Sequence, residues 1–234
     1  MLTTEQVKQF KRDGFINGGL VLADEEVETL RSEITRVMDG GESLDRKPVL
    51  SVNLKGGDAP VWQIVNIWEA SDAFQALIAN PQITSDIALL TGARELRIWH
   101  DQILYKPAET GGVNWWHQDA PLWPILQPMT EVSAWIAMDD VNEENGCMSM
   151  VPGSHLWGNN IDYFQSLNSF NGMPAEFKGH KVNVKLCPVR KGEVHYHHAL
   201  TWHGSHENQS GRPRRAVALH YMTQDTRYLS LIHI

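Results

Sequence analysis

The chain has 234 residues, of which 42% are hydrophobic and 21% charged, proportions that are ordinary for one globular domain. Its formal net charge of −8 argues against a general binder of nucleic acid or anionic membranes, because phosphate groups attract basic surfaces. We see no signal segment, no run of about 18 apolar residues, and in Cys147 and Cys187 too few cysteines for a disulfide framework. We therefore expect a cytoplasmic protein whose residues 1–234 form a single domain.

Residues 1–92 are predicted to be mainly helical and to support the core from outside. Thr3 and Gln6 have the spacing of a capping box ahead of a first helix that ends near Gly14. Later helices are predicted from an Asp24 cap to Gly40, over 72–78, and from an Asn80 cap with Pro81 to Gly92. Residues 41–61, rich in Gly, Asp and Lys, are predicted to form a loop.

From about Arg94 the pattern changes to short runs of β-forming residues that are separated by Gly, Pro and Asn. The predicted strands cover residues 96–105, 132–138, 147–151, 182–186, 193–198 and 215–222. In the last run, Val217, Leu219 and Tyr221 recur with the period of two that is typical of a strand. Many short strands indicate a β-sandwich or barrel, with its core in residues 94–223, rather than a parallel α/β sheet.

The segment Trp-Trp-His-Gln-Asp at 115–119 places a carboxylate two residues after a histidine. On an extended strand such a pair faces one side, so His117 and Asp119 would share a site. A third histidine, His203, follows 86 residues later (203 − 117). Two histidines and one carboxylate bind one face of a non-haem iron(II) ion and leave the opposite face open. We therefore predict a metal site made by these three residues.

Other interpretations compete with this one. A histidine–carboxylate pair alone is more often a polar pair at a strand end, but a charged Asp119 between bulky apolar residues needs a partner to offset desolvation. The rival third ligands are His195, His197, His198 and His206. His203 is preferred because the small Gly204 after it lets the chain approach a cosubstrate. His155, which follows a Pro-Gly turn, is expected to stabilise that turn rather than bind metal.

Arg212, Arg214 and Arg215 form a basic cluster, which is usually a solvated run. Arg214 lies eleven residues after His203 (214 − 203), a register that favours it as a fork-shaped cation for a carboxylate. Ser205 is placed to donate a hydrogen bond to the same carboxylate, although a serine in a tight turn needs no such role.

These motifs together resemble the phytanoyl-CoA dioxygenase family of iron(II)/2-oxoglutarate-dependent oxygenases. The resemblance includes Gln-x-x-x-Phe-x-x-Asp-Gly-Phe at 6–15, Trp-His-Gln-Asp at 116–119, Asn-Gly-Cys-Met at 145–148, Pro-Gly-Ser-His at 152–155, and His-Gly-Ser-x-x-Asn-x-Ser-x-x-x-Arg-Arg-Ala at 203–216. It implies a mainly β fold with flanking helices, a double-stranded β-helix of the jelly-roll or cupin-like type. It also implies iron held by His117, Asp119 and His203.

The resemblance further implies 2-oxoglutarate as cosubstrate and O₂ as oxidant. Arg214 and Ser205 would hold 2-oxoglutarate. In similar proteins a tryptophan eighteen residues after the first ligand lines this site, which falls on Trp135 (117 + 18), and Gln102 is the best match for a further contact. The implied reaction hydroxylates a C–H bond of a small organic substrate and decarboxylates 2-oxoglutarate to succinate. Halogenating relatives lack the carboxylate ligand, so Asp119 points to hydroxylation.

Two other functional classes remain open. A non-catalytic metal-binding module of cupin-like fold would need no carboxylate clamp, so Arg214 argues against it. A cupin-type hydrolase or isomerase would bring three or four histidines together, but the cluster at 195–198 lacks a nearby acidic ligand.

The primary substrate is not identified by any motif. A small metabolite is favoured over an acyl-CoA thioester, because the net negative charge does not favour binding of the CoA phosphates. Candidate pocket residues are Trp115, Trp116, Trp123, His100 and Tyr105. The loop 159–180 matches no substrate-diagnostic pattern, and the apolar end at 228–234 carries no clear stop signal.

Overall fold

The fold was analysed in a computed structural model, which describes residues 1–54, 59–167 and 169–229. The loop predicted at 41–61 and the loop at 159–180 are therefore described in part, and most of the apolar end lies outside the described residues. None of the described helices is long and apolar enough to cross a membrane.

The helices begin and end largely where capping signals predict. They are α1 (Thr4–Asp13), α2 (Asp24–Gly40), α3 (Asp72–Ile78), α4 (Pro81–Thr91) and α5 (Ile161–Gln165). The capping box of α1 is confirmed, because Gln6 N donates to Thr3 Oγ1 at 3.2 Å and Thr3 N donates to Gln6 Oε1 at 2.9 Å. Asn80 caps α4 as predicted. The prediction for Asp24 is wrong by one residue, since the cap position of α2 is Ala23.

The strands are short apart from two long ones. They are β1 (Phe15–Leu20), β2 (Leu50–Asn53), β3 (Trp62–Val65), β4 (Leu96–Lys106), β5 (Asn114–His117), β6 (Leu126–Gln127), β7 (Val132–Ala137), β8 (Met148–Met150), β9 (Glu176–Phe177), β10 (His180–Lys181), β11 (Lys185–Cys187), β12 (Glu193–His198), β13 (His203–Ser205), β14 (Arg214–Thr223) and β15 (Arg227–Tyr228). All six predicted strand regions contain a strand, although β11 begins three residues later than predicted.

Two antiparallel sheets form the barrel of a double-stranded β-helix, or jelly roll. The larger sheet has the order β1-β12-β7-β14-β4-β3-β2, and the smaller has the order β11-β8-β13-β5. Side chains from both sheets pack in one buried cluster, which includes Trp135 and Ala218 of the larger sheet and Met148 of the smaller. The mainly β fold with flanking helices is thus as predicted.

Three strands of the larger sheet lie in the part of the chain predicted as helix or loop. β1 contains two glycines and pairs with β12 through a bulge between Asn17 and Gly19, so its local pattern is weak. β2 lies inside the predicted loop 41–61, and β3 begins directly after that loop. These two strands extend the sheet from β4. Pairing with an existing edge stabilises strands that have little β pattern of their own.

The central strand β14 separates two environments by alternation. Val217, Leu219 and Tyr221 belong to the hydrophobic core between the larger sheet and the helices, together with residues such as Ile34 of α2 and Ile87 of α4. Ala218 and His220, on the opposite face, line a cavity between the sheets. Because side chains alternate along a strand, Arg214 also falls on this inner face. The candidate site lies there.

Candidate metal centre

His117 and His203 lie opposite each other on neighbouring strands of the smaller sheet. β5 and β13 are antiparallel and place these two residues in register, with ring centroids 4.1 Å apart. The side chain of Trp116 lies on the opposite face of β5 from His117. It is buried, and its Nε1 donates to the Phe170 carbonyl at 2.8 Å. The strand is therefore anchored on one face and presents imidazole on the other.

Both histidines are oriented by the backbone in the same way. Nδ1 of His117 lies 2.6 Å from the carbonyl oxygen of Trp115, and Nδ1 of His203 lies 2.9 Å from that of Thr201. A carbonyl only accepts, so each Nδ1 carries the hydrogen and each Nε2 keeps a lone pair. This is the tautomer that a metal ligand requires.

Asp119 completes the group but does not lie on the strand, so the prediction of an extended His-x-Asp pair is wrong in this detail. β5 ends at His117, and Asp119 has helical backbone angles (φ −70°, ψ −53°) at the start of a short 3₁₀ helix, Ala120–Leu122. Its Oδ1 still lies 3.5 Å from Nε2 of both His117 and His203.

The turn that brings Asp119 back is held by Gln118, a residue that the sequence did not single out. Gln118 is buried, and its Nε2 donates to the carbonyls of Gly158 and Leu200 at 2.9 and 2.7 Å. Its Oε1 accepts from Asn160 N at 2.8 Å. Three hydrogen bonds to two other segments therefore fix the bend between the carboxylate and His117.

The three side chains fit a divalent metal ion. One potential ligand atom from each lies within 4.8 Å of the other two. Burial favours a neutral Asp119, but His203, His117 and His197 outweigh it and hold the pKa of this carboxyl well below its usual range. Burial lowers the pKa of His203 to about 3, so its ring is neutral. A carboxylate and a neutral imidazole are the protonation states that metal ligation requires.

Arg214 is a buried cation that lines the same cavity. Its Nη2 donates to Ser205 Oγ at 3.2 Å and its Nη1 to the Leu104 carbonyl at 3.3 Å, while its buried Nε has no hydrogen-bond partner among the described residues. No described carboxylate lies within ion-pair distance of it, and burial lowers its pKa to about 10. Desolvation of an unpaired guanidinium is costly, so this geometry fits a site for an anionic ligand.

Lys106 is a second buried cation there, and the sequence pattern did not reveal it. It lies opposite Arg214 on β4, and its Nζ donates to Ser205 Oγ at 2.7 Å and to the backbone carbonyls of Ser205 and His206. Ser205 Oγ therefore accepts from two cations, which leaves its own hydrogen to donate. In the sequence, a lysine at the end of a predicted strand and directly before Pro107 is expected to be exposed to solvent.

All seven predicted site residues line one cavity between the sheets: His117, Asp119, His203, Arg214, Ser205, Trp135 and Gln102. The Arg214 guanidinium lies 5.7 Å from the ring centre of Trp135. The metal group and the guanidinium therefore face the same space.

His155 and His206 do not line this cavity. His155 packs on His198, and its Nε2 lies 3.3 Å from the Lys11 carbonyl. His206 packs on Phe170. Gly204 lines the cavity. Packing also requires a glycine there, because a Cβ would meet Phe170 and the Asn114 carbonyl at 2.8 and 2.9 Å.

A larger cavity of about 430 Å³ adjoins the metal group and shares His117, Asp119 and Gln102 with it. Trp115, Trp116 and Trp123 line it as predicted, together with Leu54, Val61, Gln63, Val113, Asn114 and Leu122. His100 contacts Trp123 edge-on at the rim. Tyr105 does not belong to this cavity, because it packs against the core under the helices.

Comparison with known proteins gives one consistent family. The family model described as Phytanoyl-CoA dioxygenase (PhyH) matches residues 10–216. The peroxisomal phytanoyl-CoA dioxygenase of Rattus norvegicus is 24% identical over 252 residues, covering 99% of this chain and 71% of that protein. The ectoine dioxygenase of Bordetella parapertussis is 26% identical over 239 residues, covering 96% of this chain and 76% of that protein.

A solved structure has the same architecture. The epimerase SnoN from nogalamycin biosynthesis, in complex with Fe³⁺, α-ketoglutarate and nogalamycin RO, matches with a TM-score of 0.79 and 25% identity. The match covers 97% of this chain and 85% of that one. With the geometry above, these matches show that the chain belongs to the phytanoyl-CoA dioxygenase family and is an Fe(II)- and 2-oxoglutarate-dependent dioxygenase.

Proposed function

We propose that His117, Asp119 and His203 hold the iron of this dioxygenase and that it hydroxylates a C–H bond of a small organic substrate. The observation that carries the proposal is that two imidazoles and one carboxylate converge on the cavity that contains Arg214. Bound iron(II), with 2-oxoglutarate and O₂, supplies the oxidant for C–H hydroxylation.

We propose that Arg214 and Ser205 bind the carboxylate of 2-oxoglutarate that lies away from the metal. No described carboxylate accepts a hydrogen bond from the Arg214 guanidinium. The Ser205 Oγ accepts hydrogen bonds from Arg214 and Lys106, so its own hydrogen remains to be donated to a ligand. A carboxylate placed here would accept charge-assisted hydrogen bonds from both residues. Trp135 would support the guanidinium and close the side of the cavity, and Gln102 would contact the cosubstrate from β4.

The protein would shield the reacting centre by enclosing it between two sheets. His203, Asp119 and Arg214 are all buried, so bulk water has little access to the cosubstrate. Exclusion of water protects reactive species from side reactions. As a metal ligand, Asp119 would also take the position that a chloride ion would need, which favours hydroxylation over halogenation.

The adjoining cavity is the proposed site of the primary substrate. Of the described residues that line it, Asp119 is the one with a formal charge, and the walls are mainly tryptophan and aliphatic side chains. Leu54, Trp115 and Leu122 remain substantially exposed at its rim. A neutral and largely apolar small molecule fits this surface better than the polyanionic end of an acyl-CoA. Asn114 Oδ1, which is buried and has no hydrogen-bond partner in the described part of the chain, offers an acceptor to a hydroxyl or amine of the substrate.

The test is turnover by anaerobically iron-loaded protein that is then exposed to O₂. Succinate should form from 2-oxoglutarate, faster when a true substrate is present, and the product mass should rise by one oxygen. His117→Ala should abolish both iron uptake and succinate formation, whereas His155→Ala should retain both. Full activity in His117→Ala or His203→Ala would refute the assignment of the ligands.

A further inference from the structure

Asp119 presents its two carboxylate oxygens to different partners. Oδ1 lies 3.5 Å from Nε2 of both His117 and His203. Oδ2 instead accepts hydrogen bonds from Ser133 Oγ at 3.2 Å and from His197 Nε2 at 3.3 Å. Ser133 and His197 are fully buried on adjacent strands of the larger sheet, where β7 and β12 place them in register.

The hydrogen bonds that link His220, Ser133 and Asp119 are all donated towards Asp119. A carboxylate only accepts, so the Ser133 hydroxyl must direct its single hydrogen at Asp119. Ser133 Oγ also lies 2.7 Å from His220 Nδ1, which must therefore carry a hydrogen and donate it to Ser133. The chain of donors runs from His220 through Ser133 to Asp119, and a second donor reaches the same oxygen from His197.

His197 has little reason to be a histidine other than this contact. Its Nδ1 is buried and has no partner among the described residues, so Asp119 provides the hydrogen bond that holds the ring. An apolar side chain would fill the same space without leaving a nitrogen unpaired, which costs free energy. The ring also packs against His203, with centroids 4.8 Å apart.

We propose that Ser133 and His197 are positioning residues that hold Asp119 as a one-oxygen ligand. With Oδ2 held by two donors, Oδ1 is the oxygen that faces the two imidazoles. Asp119 then contributes one bond rather than chelating through both oxygens, and one more coordination position stays open for the other ligands. This inference rests on the proposed role of Asp119 as a metal ligand.

The test is binding of Co(II), which replaces Fe(II) and has visible bands that respond to the number of ligands. The metal-stripped full chain is titrated by calorimetry and by absorbance, without 2-oxoglutarate. Ser133→Ala and His197→Leu should each weaken Co(II) binding by about tenfold and shift the bands, as loss of such supporting bonds typically does. His197→Gln, which keeps a nitrogen donor, should restore much of the wild-type affinity and spectrum.

His195 supplies a matched control. It is a buried histidine two residues away on β12, stacked on Phe15, and it forms no hydrogen bond with Asp119. His195→Leu should bind Co(II) like the wild type. Far-UV circular dichroism identifies any variant that fails to fold, and Ser133→Ala changes the packed volume least.

The outcomes separate this inference from the proposed function. Wild-type affinity and bands in both Ser133→Ala and His197→Leu would overturn the positioning role while leaving the metal site intact. An equal loss in His195→Leu would assign the effect to packing of β12 and would also overturn it. Failure of the wild-type chain to bind Co(II), with His117→Ala indistinguishable from it, would instead refute the metal site itself.

Discussion

Arg214 and Arg215 are neighbours in the chain whose side chains lie on opposite faces of β14. Arg214 is buried in the cavity beside Ser205, whereas Arg215 forms a two-pronged ion pair with Asp139 at 2.9 and 2.8 Å. Because side chains alternate along the strand, Arg215 forms a structural ion pair on one face, whereas Arg214 has no described carboxylate partner on the other. This supports the choice of Arg214 over Arg215 as the cation that binds a carboxylate.

Arg214→Ala is therefore expected to weaken 2-oxoglutarate binding by at least about tenfold, because loss of one partner of a buried charge pair typically costs about 2–5 kcal/mol. Metal affinity should change little. Calorimetric titration of the metal-free protein with Co(II) measures the metal affinity, and titration of the Co(II)-loaded protein with 2-oxoglutarate measures the cosubstrate affinity. Arg215→Ala is the matched control and should retain the affinity for 2-oxoglutarate; the opposite ranking of the two variants would move the role to Arg215.

Lys106→Met is expected to weaken 2-oxoglutarate binding by roughly tenfold, since it removes one of the two cations that orient the Ser205 hydroxyl. The same titration reports the change. Lys8→Met, at an exposed position on α1, should leave the dissociation constant unchanged. An unaltered constant in Lys106→Met would show that Lys106 supports only the backbone of β13.

Glu131 is a buried carboxyl with both oxygens unpartnered among the described residues, and burial raises its pKa to about 7. The folded state thus favours the protonated form. Stability is retained below the ordinary pKa near 4.5 and falls as the pH rises towards 7. Such a shift corresponds to a loss of up to about 3 kcal/mol in the free energy of unfolding.

Glu131→Gln is therefore expected to match the wild type near pH 4.5 and to exceed its stability at pH 8. Urea unfolding of the metal-free protein at both pH values measures the difference. Glu25→Gln, an exposed position on α2, provides the comparison and should show no such pH-dependent gain. A gain for Glu131→Gln that is equal at both pH values would contradict the titration of this carboxyl.

Gly204→Ala is expected to destabilise the fold by about 1–3 kcal/mol through overpacking. The new methyl group would meet Phe170 on one side and backbone atoms of β5, including the Asn114 carbonyl, on the other. Gly211→Ala is a suitable control, because a Cβ there meets no atom within 4 Å. The midpoints of urea unfolding should separate the two variants clearly, and equal midpoints would contradict the close approach.

The helices, strands and site residues that could be predicted from the sequence are those whose determining residues lie close together in the chain. Helices α1 and α4 were predicted because their caps are adjacent in the chain, and β12 and β14 because their own patterns are strong. Strands β1, β2 and β3 were missed because they depend on pairing with distant strands. Five of the site residues could be proposed because short motifs carry them, whereas Trp135 and Gln102 were proposed only because the family resemblance implies them.

The supporting residues could not be found in the same way. Lys106 meets Ser205 across 99 residues of chain, and Ser133 meets His220 across 87. No local pattern distinguishes such residues from an exposed lysine or a core serine. The position of Asp119 also depends on three hydrogen bonds made by Gln118 to remote segments, which no rule of strand alternation includes.

The edge strands β2 and β3 have one further consequence. The wall of the proposed substrate cavity that includes Leu54, Val61 and Gln63 comes from β3 and from residues next to β2 and β3, whereas the two histidines of the metal group come from the smaller sheet. Substitutions in that edge can remodel which molecule is presented for oxidation while the oxidising machinery stays unchanged. The architecture thus lets new specificities evolve, or be engineered, by replacing one hairpin.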